Sequence, residues 1–263
     1  MPLRRFSLRF VCLALLAACG CTLTLPPPPP TPTSTPAPAA GWQTLMPGLE
    51  VRTYYPADVR LAELRVLRVD PAYFTLRAHY RPGDPLSAAG WHSALPGAAA
   101  VVNANFFDPQ HNVLGLLVAD GVAHGSAYTD RGGTLLVQNG LPRVRANVFE
   151  PHYPGEPLEQ AVQGFPLLVQ DGAPAFTSQQ NDRATRRTAA GQDRSGRILL
   201  LATPLLGLTL ADLSTFLAAS DLDLHIAFNL DGGGSSLMLH AGSPPYILPS
   251  LDPVPAVLAV YPR

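Results

Sequence analysis

Residues 225–238 read His-Ile-Ala-Phe-Asn-Leu-Asp-Gly-Gly-Gly-Ser-Ser-Leu-Met. The run 225–230 predicts a buried strand, which ends by delivering Asp231 into three consecutive glycines. Glycines lose much conformational entropy on folding, so a fold retains three of them where the backbone takes a positive φ or another group approaches closely. An acid directly before such a turn indicates catalysis or tight anion binding.

Composition limits the class of protein to which this turn belongs. The 263 residues are 47% hydrophobic and 14% charged, which is enough apolar sequence for one sizeable core. The formal net charge of -1 does not provide the basic surface that nucleic acid requires, so no nucleic-acid partner is expected. All 18 positive residues are arginines, and the absence of lysine excludes P-loop, Schiff-base and Ser-Lys chemistry.

The N-terminal segment has the pattern of an export signal. Three arginines within the first nine residues precede an apolar stretch over 10–16 that is too short to span a bilayer. Leu16-Ala17-Ala18-Cys19 then resembles a bacterial lipobox, in which the signal is cleaved before Cys19 and its thiol is lipidated. We therefore predict a lipoprotein signal peptide over 1–18. The alternative is an ordinary secretory signal with incidental cysteines.

A Pro/Thr-rich linker is predicted over residues 19–41. The run Pro26–Pro30 and the Thr-Pro and Ala-Pro pairs after it are typical of an extended polyproline spacer. Such a spacer would hold residues 42–263 at a distance from the membrane, on its extracellular or periplasmic face. The lipid on Cys19 would then be the only part of the protein attached to the membrane. All three cysteines lie at or before residue 21, which excludes disulfides and thiolate metal sites from the domain over 42–263.

Short strands dominate the secondary structure predicted for that domain. They are expected at 51–55, 61–69, 74–80, 98–102, 115–118, 134–138, 161–169, 198–202, 225–230 and 254–260. The clearest helix covers 210–219, where Thr209 and Asp212 form a capping box, and a weaker one lies near 85–95. We predict an α+β fold in one domain, with a strand-rich mixed or antiparallel sheet core and few helices.

Four polar clusters accompany these strands. They are Asn-Ala-Asn-Phe-Phe-Asp at 103–108, Leu-Gly-Leu-Leu-Val-Ala-Asp-Gly at 114–121, Gly-Phe-Pro-Leu-Leu-Val-Gln-Asp-Gly at 164–172, and the arginines at 183, 186 and 187 with Thr-Ala-Ala-Gly after them. Taken singly, each has an ordinary structural explanation. Asn and Asp make turns at strand ends, Asp-Gly closes hairpins, and arginines are common in solvated loops.

Taken in order, these clusters and the block Asn-Leu-Asp-Gly-Gly-Gly-Ser at 229–235 resemble the phosphodiester glycosidase family. The resemblance covers residues 51–260, and its specific parts are Arg187-Thr188 and the block at 230–235. It implies hydrolysis of a sugar that is joined through its anomeric oxygen to a phosphate bearing a second alcohol. The expected partner is therefore a glycan or sugar phosphate of the cell surface.

The resemblance also implies roles for individual residues. Asp231 is expected to be the general base or nucleophile, Arg187 to hold the diester phosphate opposite it, and Asn103 to complete the catalytic set. The turn at 232–235 is expected to form an anion-binding nest of backbone N–H groups. The residues predicted to bind substrate are Asn105, Asp108, Asp120, Thr188, Asn229, Gly232, Gly233, Gly234 and Ser235, with Asp108 the candidate second carboxylate.

Two bonds of such a substrate are open to cleavage. If the sugar C–O bond breaks, the leaving group is a phosphate monoester, which needs less help from a general acid than an alkoxide does. If the P–O bond breaks, the step is phosphoryl transfer and a metal ion becomes useful. We predict that no cofactor is required, with Ca²⁺ or another divalent ion on oxygen ligands as the alternative. The histidines form no His-x-x-x-His pair, so zinc has little support.

Two other functions remain open from the sequence. One is a lipoprotein that binds glycan or phosphate without cleaving it, which is favoured because residues 251–255 lack the basic residue that relatives carry before the last strand. The other is a phosphodiesterase acting on a non-sugar diester. A serine hydrolase is disfavoured, since Ser235 and Ser236 lack a Gly-x-Ser-x-Gly elbow. The sequence indicates no oligomeric state.

Overall fold

The computed structural model describes residues 41–56, 62–177, 180–205 and 207–263. The predicted signal peptide, the lipidation site Cys19 and all but the last residue of the linker lie outside these ranges and stay predictions. No helix within the described ranges is both long and apolar enough to cross a bilayer.

Strands form most of the regular structure. The first nine are β1 (Gln43–Met46), β2 (Leu49–Tyr54), β3 (Leu64–Val69), β4 (Phe74–Tyr80), β5 (Ala100–Asn103), β6 (Leu117–Ala119), β7 (Val122–His124), β8 (Gly133–Gln138) and β9 (Leu141–Ala146). The next nine are β10 (Gln160–Gly164), β11 (Leu167–Gln170), β12 (Ala173–Pro174), β13 (Thr188–Asp193), β14 (Ile198–Ala202), β15 (Leu224–Asn229), β16 (Met238–His240), β17 (Tyr246–Leu248) and β18 (Ala256–Pro262). The α-helices are α1 (Ala88–Ala94) and α2 (Leu210–Ala219), and a short 3₁₀ turn covers Gly233–Ser235.

These strands build three sheets. The largest has the order β1-β2-β3-β14-β13-β15-β11-β12, the second β7-β6-β10-β8-β9, and the third β17-β16-β5-β18-β4. Every pairing between neighbouring strands is antiparallel. The predicted α+β class, with an antiparallel sheet core and few helices, is confirmed.

One hydrophobic core joins the three sheets. It contains Leu67 and Phe228 from the largest sheet, Leu135 from the second and Leu258 from the third, all of them buried. Phe228 lies directly over Gly133, where a Cβ atom would approach its ring to 2.8 Å. The missing side chain on β8 therefore lets two sheets pack closely beside the end of β15.

Helix α2 covers the opposite face of the largest sheet. Thr209 caps it by accepting a hydrogen bond from the Asp212 N–H, as the capping-box pattern predicts. Leu213 and Leu217, spaced by one helical turn, are buried in a cluster with Leu168 of β11. This packing fixes the start of α2 near the residues that precede β13.

Two differences from the predicted strands affect the site. The single strand expected over 161–169 is two strands, β10 and β11, because Pro166 has no N–H to donate to a sheet ladder. Strand β13 was not predicted, since Thr-Ala-Ala-Gly-Gln-Asp lacks the large β-branched residues typical of strands. Its small residues allow close pairing, and a Cβ at Gly191 would lie 2.8 Å from the Ile226 carbonyl oxygen.

Candidate active site

Three strand ends position Asp231. The Asp231 N–H donates to the Ala104 carbonyl at 3.1 Å, and the preceding Leu230 N–H donates to the Thr188 carbonyl at 2.9 Å. The Asn103 side-chain amide donates to the Asp231 carbonyl at 2.7 Å. The backbone of this acid is therefore held by residues at the end of β5 and the beginning of β13.

Asn103 contacts Asp231, Thr188 and Leu237 through its side chain. It is 1% exposed, and its side-chain oxygen accepts from the Thr188 hydroxyl at 2.7 Å and from the Leu237 N–H at 3.0 Å. The structure thus brings together Asn103, Thr188 and Asp231, which the sequence predicted for one site. The contacts that Asn103 and Thr188 make through their side chains are with protein atoms, and they orient Asp231.

The three glycines after Asp231 each have a separate structural reason. A Cβ atom at Gly232 would lie 2.8 Å from the Arg186 carbonyl oxygen. Gly233 has φ +62°, the left-handed region that side chains disfavour. A Cβ atom at Gly234 would overlap the carboxylate of Asp252. The turn is therefore a place of close approach, as its composition predicted.

Protein acceptors already use several N–H groups of this turn. Gly232 donates to the Asp231 carboxylate at 2.9 Å and Gly233 to the Arg186 carbonyl at 2.8 Å. Ser235 donates to the Gly232 carbonyl at 3.2 Å. These three N–H groups have acceptors within the protein and close the turn, and the anion-binding nest expected over 232–235 stays a prediction.

The surroundings of Asp231 favour its neutral form. Burial raises the pKa of Asp231 to about 6, and the charge of Asp252 acts in the same direction. Hydrogen bonds from the Ser235 hydroxyl and the Gly232 N–H oppose the rise. A carboxyl group with a pKa near 6 is mostly ionised at neutral pH and is more basic than an ordinary aspartate. Both properties suit a general base.

Arg187 is held close to this turn. Its Nε donates to the Leu208 carbonyl at 2.9 Å, and its Nη2 donates to the Arg183 carbonyl at 2.7 Å and to Asp182 Oδ1 at 3.2 Å. Burial lowers the pKa of Arg187, while the Asp182 charge opposes this. The next residue toward the N-terminus, Arg186, accepts the Gly233 N–H through its carbonyl. The Arg187 segment and the glycine turn are therefore in direct contact.

Arg187 also lines a cleft of about 620 Å³. Its other lining residues are Phe106, Asp130, Arg131, Gly132, Phe165, Pro166, Leu167, Ala175, Phe176, Leu210 and Asn229. Asp231 is not in the lining, but it follows Asn229 by two residues. The cleft thus combines two arginines with the aromatic rings that sugar faces commonly contact.

Asn229, a lining residue of this cleft, carries an acceptor without a partner among the described residues. The residue is 3% exposed, and its Nδ2 donates to the Phe165 carbonyl at 3.0 Å. Its side-chain oxygen is buried and has no hydrogen-bond donor among the residues that the structure describes. Buried polar atoms without a partner are uncommon in native proteins. This oxygen is therefore suited to accept a hydrogen bond from a bound hydroxyl group.

Three predicted site residues have other contacts in the structure. The Asn105 amide donates to the Leu116 carbonyl at 3.0 Å and holds the segment before β6. Asp108 accepts from the N–H and side chain of Asn112, and these bonds lower its pKa. Asp120, at the turn between β6 and β7, pairs with Arg77 at 2.8 Å and borders a different surface cavity. Their predicted substrate contacts stay predictions.

Sequence reasoning missed three charged residues around the site. Asp252 lies against Gly234, Asp182 binds Arg187, and Arg131 lines the cleft. All three lie in irregular segments, where the sequence has no periodic pattern from which their distance to Asp231 or Arg187 could be predicted. Asp130-Arg131-Gly132-Gly133, a charged pair before two glycines, was the one local signal available.

No cluster of three or more histidine, cysteine, aspartate or glutamate side chains suited to a metal ion occurs in the described ranges. The prediction that no cofactor is needed, and its alternative of a divalent ion, both stay predictions.

The chain is similar to proteins of one known family. A family model for phosphodiester glycosidases matches residues 96–261, which include Asn103, Arg187 and Asp231. The fold is similar to the zebrafish N-acetylglucosamine-1-phosphodiester alpha-N-acetylglucosaminidase catalytic domain, auto-inhibited by its pro-peptide, at 18% identity and TM-score 0.62 over 86% of this chain and 87% of that one.

Two bacterial structures share the fold at lower similarity. A hypothetical protein from Synechocystis has 15% identity and TM-score 0.58 over 87% of this chain and 64% of that one. A putative exported protein from Burkholderia pseudomallei has 14% identity and TM-score 0.53 over 76% and 74%. No curated protein matches the chain by sequence. With its strand ends, glycine turn and Arg-Thr block inside the matched region, the chain belongs to the phosphodiester glycosidase family.

Proposed function

We propose that the protein is a hydrolase that cleaves a sugar-1-phosphodiester in an exported or cell-surface glycan. The observation that carries this proposal is that one cleft is lined both by Asn229, whose side-chain oxygen has no partner among the described residues, and by Arg187. The first requires a hydroxyl donor and the second favours an anion. A sugar joined to phosphate supplies both groups in one ligand.

Binding in the cleft would leave the reacting bond near Asp231. The sugar would donate a hydroxyl to Asn229 and pack on Phe165, whose backbone carbonyl fixes the Asn229 amide. Arg187 would contact the phosphate. Because Asp231 follows Asn229 by two residues and its turn contacts the Arg187 segment, the anomeric carbon between sugar and phosphate would face the carboxylate.

Asp231 would activate water for attack on that carbon. As the water oxygen bonds to the anomeric carbon, its proton passes to the Asp231 carboxylate, and the electrons of the C–O bond remain on the phosphate oxygen. The products are the free sugar and a phosphate monoester of the second alcohol. Since a phosphate monoester is a good leaving group, Arg187 suffices to stabilise its charge and no general acid is needed.

The cell envelope is the proposed site of action. The basis is the signal pattern of residues 1–18 and the lipobox ending at Cys19. A lipid on Cys19 and the linker over 19–41 would tether the domain to the membrane. A sugar-phosphate polymer or a capped surface glycan would then lie within reach.

Hydrolysis of N-acetylglucosamine 1-phosphodiesters, chromogenic or UDP-linked, tests the proposal. The unaltered protein should release N-acetylglucosamine with or without EDTA, and Asp231→Asn and Arg187→Ala should each lower kcat/KM at least about 100-fold. Asp223→Asn and Arg143→Ala, on exposed ion pairs, are the matched controls and should retain activity. In H₂¹⁸O, label in the sugar identifies C–O cleavage and label in the phosphate identifies P–O cleavage.

Release of no sugar from any of several sugar-phosphate diesters would contradict the hydrolase function. Retained binding of those diesters would then identify a glycan-binding lipoprotein, the rival favoured by the acidic Asp252 in a segment without a basic residue. Full activity in Asp231→Asn would exclude the role proposed for that residue.

A further inference from the structure

The cleft contains a second cation, Arg131, which lies outside the strands and helices. It lies in the irregular segment 125–132, between β7 and β8, and lines the cleft together with Arg187 and Asn229. Its guanidinium carbon is 5.7 Å from the centroid of the Tyr128 ring and 5.8 Å from that of Phe165. The two rings meet edge to face at 5.1 Å. Arg131 is thus attached to the aromatic wall of the cleft.

A buried amide fixes one end of this segment. Gln163 of β10 is 0% exposed, and its side-chain oxygen accepts from the Tyr128 N–H at 2.8 Å and from the Leu116 N–H at 2.9 Å. Its Nε2 donates to the Thr134 hydroxyl oxygen at 2.9 Å. Position 128 is therefore bound to a rigid strand rather than left to solvent.

A second buried amide fixes the other end. The Thr134 hydroxyl donates to the Asn147 side-chain oxygen at 2.5 Å, and the Asn147 amide donates to the Arg131 carbonyl at 2.9 Å. Gly132 has φ +67°, and a Cβ atom there would overlap the Gly164 carbonyl oxygen. The backbone of Arg131 is thus positioned before any ligand arrives, which reduces the entropy lost on binding.

Among the described residues, Asp130 is the one carboxylate paired with the Arg131 guanidinium. Its Nε lies 3.0 Å from Asp130 Oδ1, and the two side chains are 56% and 68% exposed. Ion pairs this exposed contribute about 0–1 kcal/mol, so the guanidinium can exchange the carboxylate for another anion at small cost. A phosphate fits better, because the planar arginine fork binds two of its oxygens at once.

We propose that Arg131 binds the phosphate of the substrate diester as a second cation beside Arg187, with Asp130 as the carboxylate that the phosphate displaces. The proposal rests on the proposed function, because it names a residue that would bind the phosphate of that same substrate. Arg131 would then raise the affinity of the cleft for the phosphate, and Asp130 would lower it.

Binding of N-acetylglucosamine 1-phosphate, measured by calorimetry on the full chain, tests this role. Arg131→Gln should weaken binding about tenfold, since one lost charge-assisted contact is of this size. Arg131→Lys should lose less, and Asp130→Asn should bind more tightly than the unaltered protein. Arg143→Gln, on an exposed pair with Glu150, is the matched control and should bind normally. Affinity for uncharged N-acetylglucosamine should be the same in all variants.

Three results would overturn the role of Arg131. They are unchanged binding in Arg131→Gln, an equal loss for the uncharged sugar, and weaker binding in Asp130→Asn. If the protein binds the sugar phosphate through Arg131 but hydrolyses no diester, the hydrolase function fails alone. If it hydrolyses diesters and Arg131→Gln leaves KM unchanged, the Arg131 proposal fails alone. Absence of any binding by the unaltered protein overturns the Arg131 proposal as well.

Discussion

The Asp231 carboxylate is ionised at pH 7 in surroundings that favour the neutral acid. Its pKa is about 6 in the folded chain, against about 3.9 for an unperturbed aspartate. Between these values the folded state retains a proton that the unfolded state has lost. Stability from this group is therefore complete below pH 4 and is lost as the pH rises through 6.

Replacement of Asp231 should consequently stabilise the fold while removing activity. Asp231→Asn should raise the free energy of unfolding at pH 7 by about 2 kcal/mol, because one pKa unit corresponds to about 1.4 kcal/mol and some hydrogen bonding is lost. At pH 4 the gain should vanish. Urea unfolding at both pH values measures this, and a gain of equal size at pH 4 would contradict the ionisation argument.

Asp252 should set the pH range in which Asp231 acts. Its charge disfavours ionisation of Asp231, so Asp252→Asn should lower the pKa of Asp231 and move the acid limb of the kcat/KM profile to lower pH. Asp223→Asn, an exposed acid paired with Arg194, should leave the limb in place. An unmoved limb in Asp252→Asn would show that Asp252 does not act on Asp231.

At the scale of elements, Asp182 joins the start of α2 to the site. Its carboxylate accepts from the Leu210 N–H at 2.8 Å and the Ala211 N–H at 3.0 Å, and it also binds Arg187. Two otherwise unsatisfied donors of the first helical turn therefore depend on the same side chain that orients the cation. Helix stability and the orientation of Arg187 are linked at this residue.

Asp182→Ala should therefore lower both stability and activity. Loss of the helix-terminal bonds should cost about 1–2 kcal/mol, and Arg187 without its partner should lose orientation, lowering kcat/KM for the sugar diester. Asp212→Ala removes an acid from the same turn without contact to Arg187, so it should affect stability alone. Thermal unfolding and kinetics on both variants separate the effects, and equal activity would contradict the link.

The elements differ in how far the sequence could define them. Strands β4 and β14 and helix α2 lie at the residues predicted, because apolar alternation and a cap mark their limits locally. Strand β13 is not predicted, because its small residues have low strand propensity and are suited instead to close packing. The family resemblance implied one site for Asn103 and Asp231, and the structure places both at strand ends. The proximity of Asp252 depends instead on how an irregular segment packs against the glycine turn.

For the whole molecule, the ion pair between Arg145 and Glu156 is the most buried of those in the described residues. Arg145 of β9 and Glu156 are each 4% exposed and form two bonds of 2.6 and 2.7 Å, with His152 Nδ1 2.8 Å from the same carboxylate. Burial favours protonation of Glu156, but the bonds from Arg145 and His152 hold its pKa below the usual range. The pair anchors the segment between β9 and β10.

Glu156→Gln should lower the free energy of unfolding by about 3–5 kcal/mol, because it leaves the Arg145 charge buried without a counter-ion. Glu150→Gln breaks an exposed pair with Arg143 and should cost less than about 1 kcal/mol. Denaturant unfolding at pH 7 measures both changes. Similar values for the two variants would contradict the importance assigned to burial.

The position of β18 in its sheet has a consequence for biosynthesis. β18 lies between β5 and β4, and among the described strands it alone pairs with β4. Twelve strands, β6 to β17, nevertheless separate it from both in the chain. A nascent polypeptide without β18 cannot join β4 to β5, so the third sheet is completed only after β18 has been synthesised. A polypeptide truncated before residue 256 would therefore leave one edge of β4 and one edge of β5 without a partner, and unpaired strand edges of this kind promote aggregation.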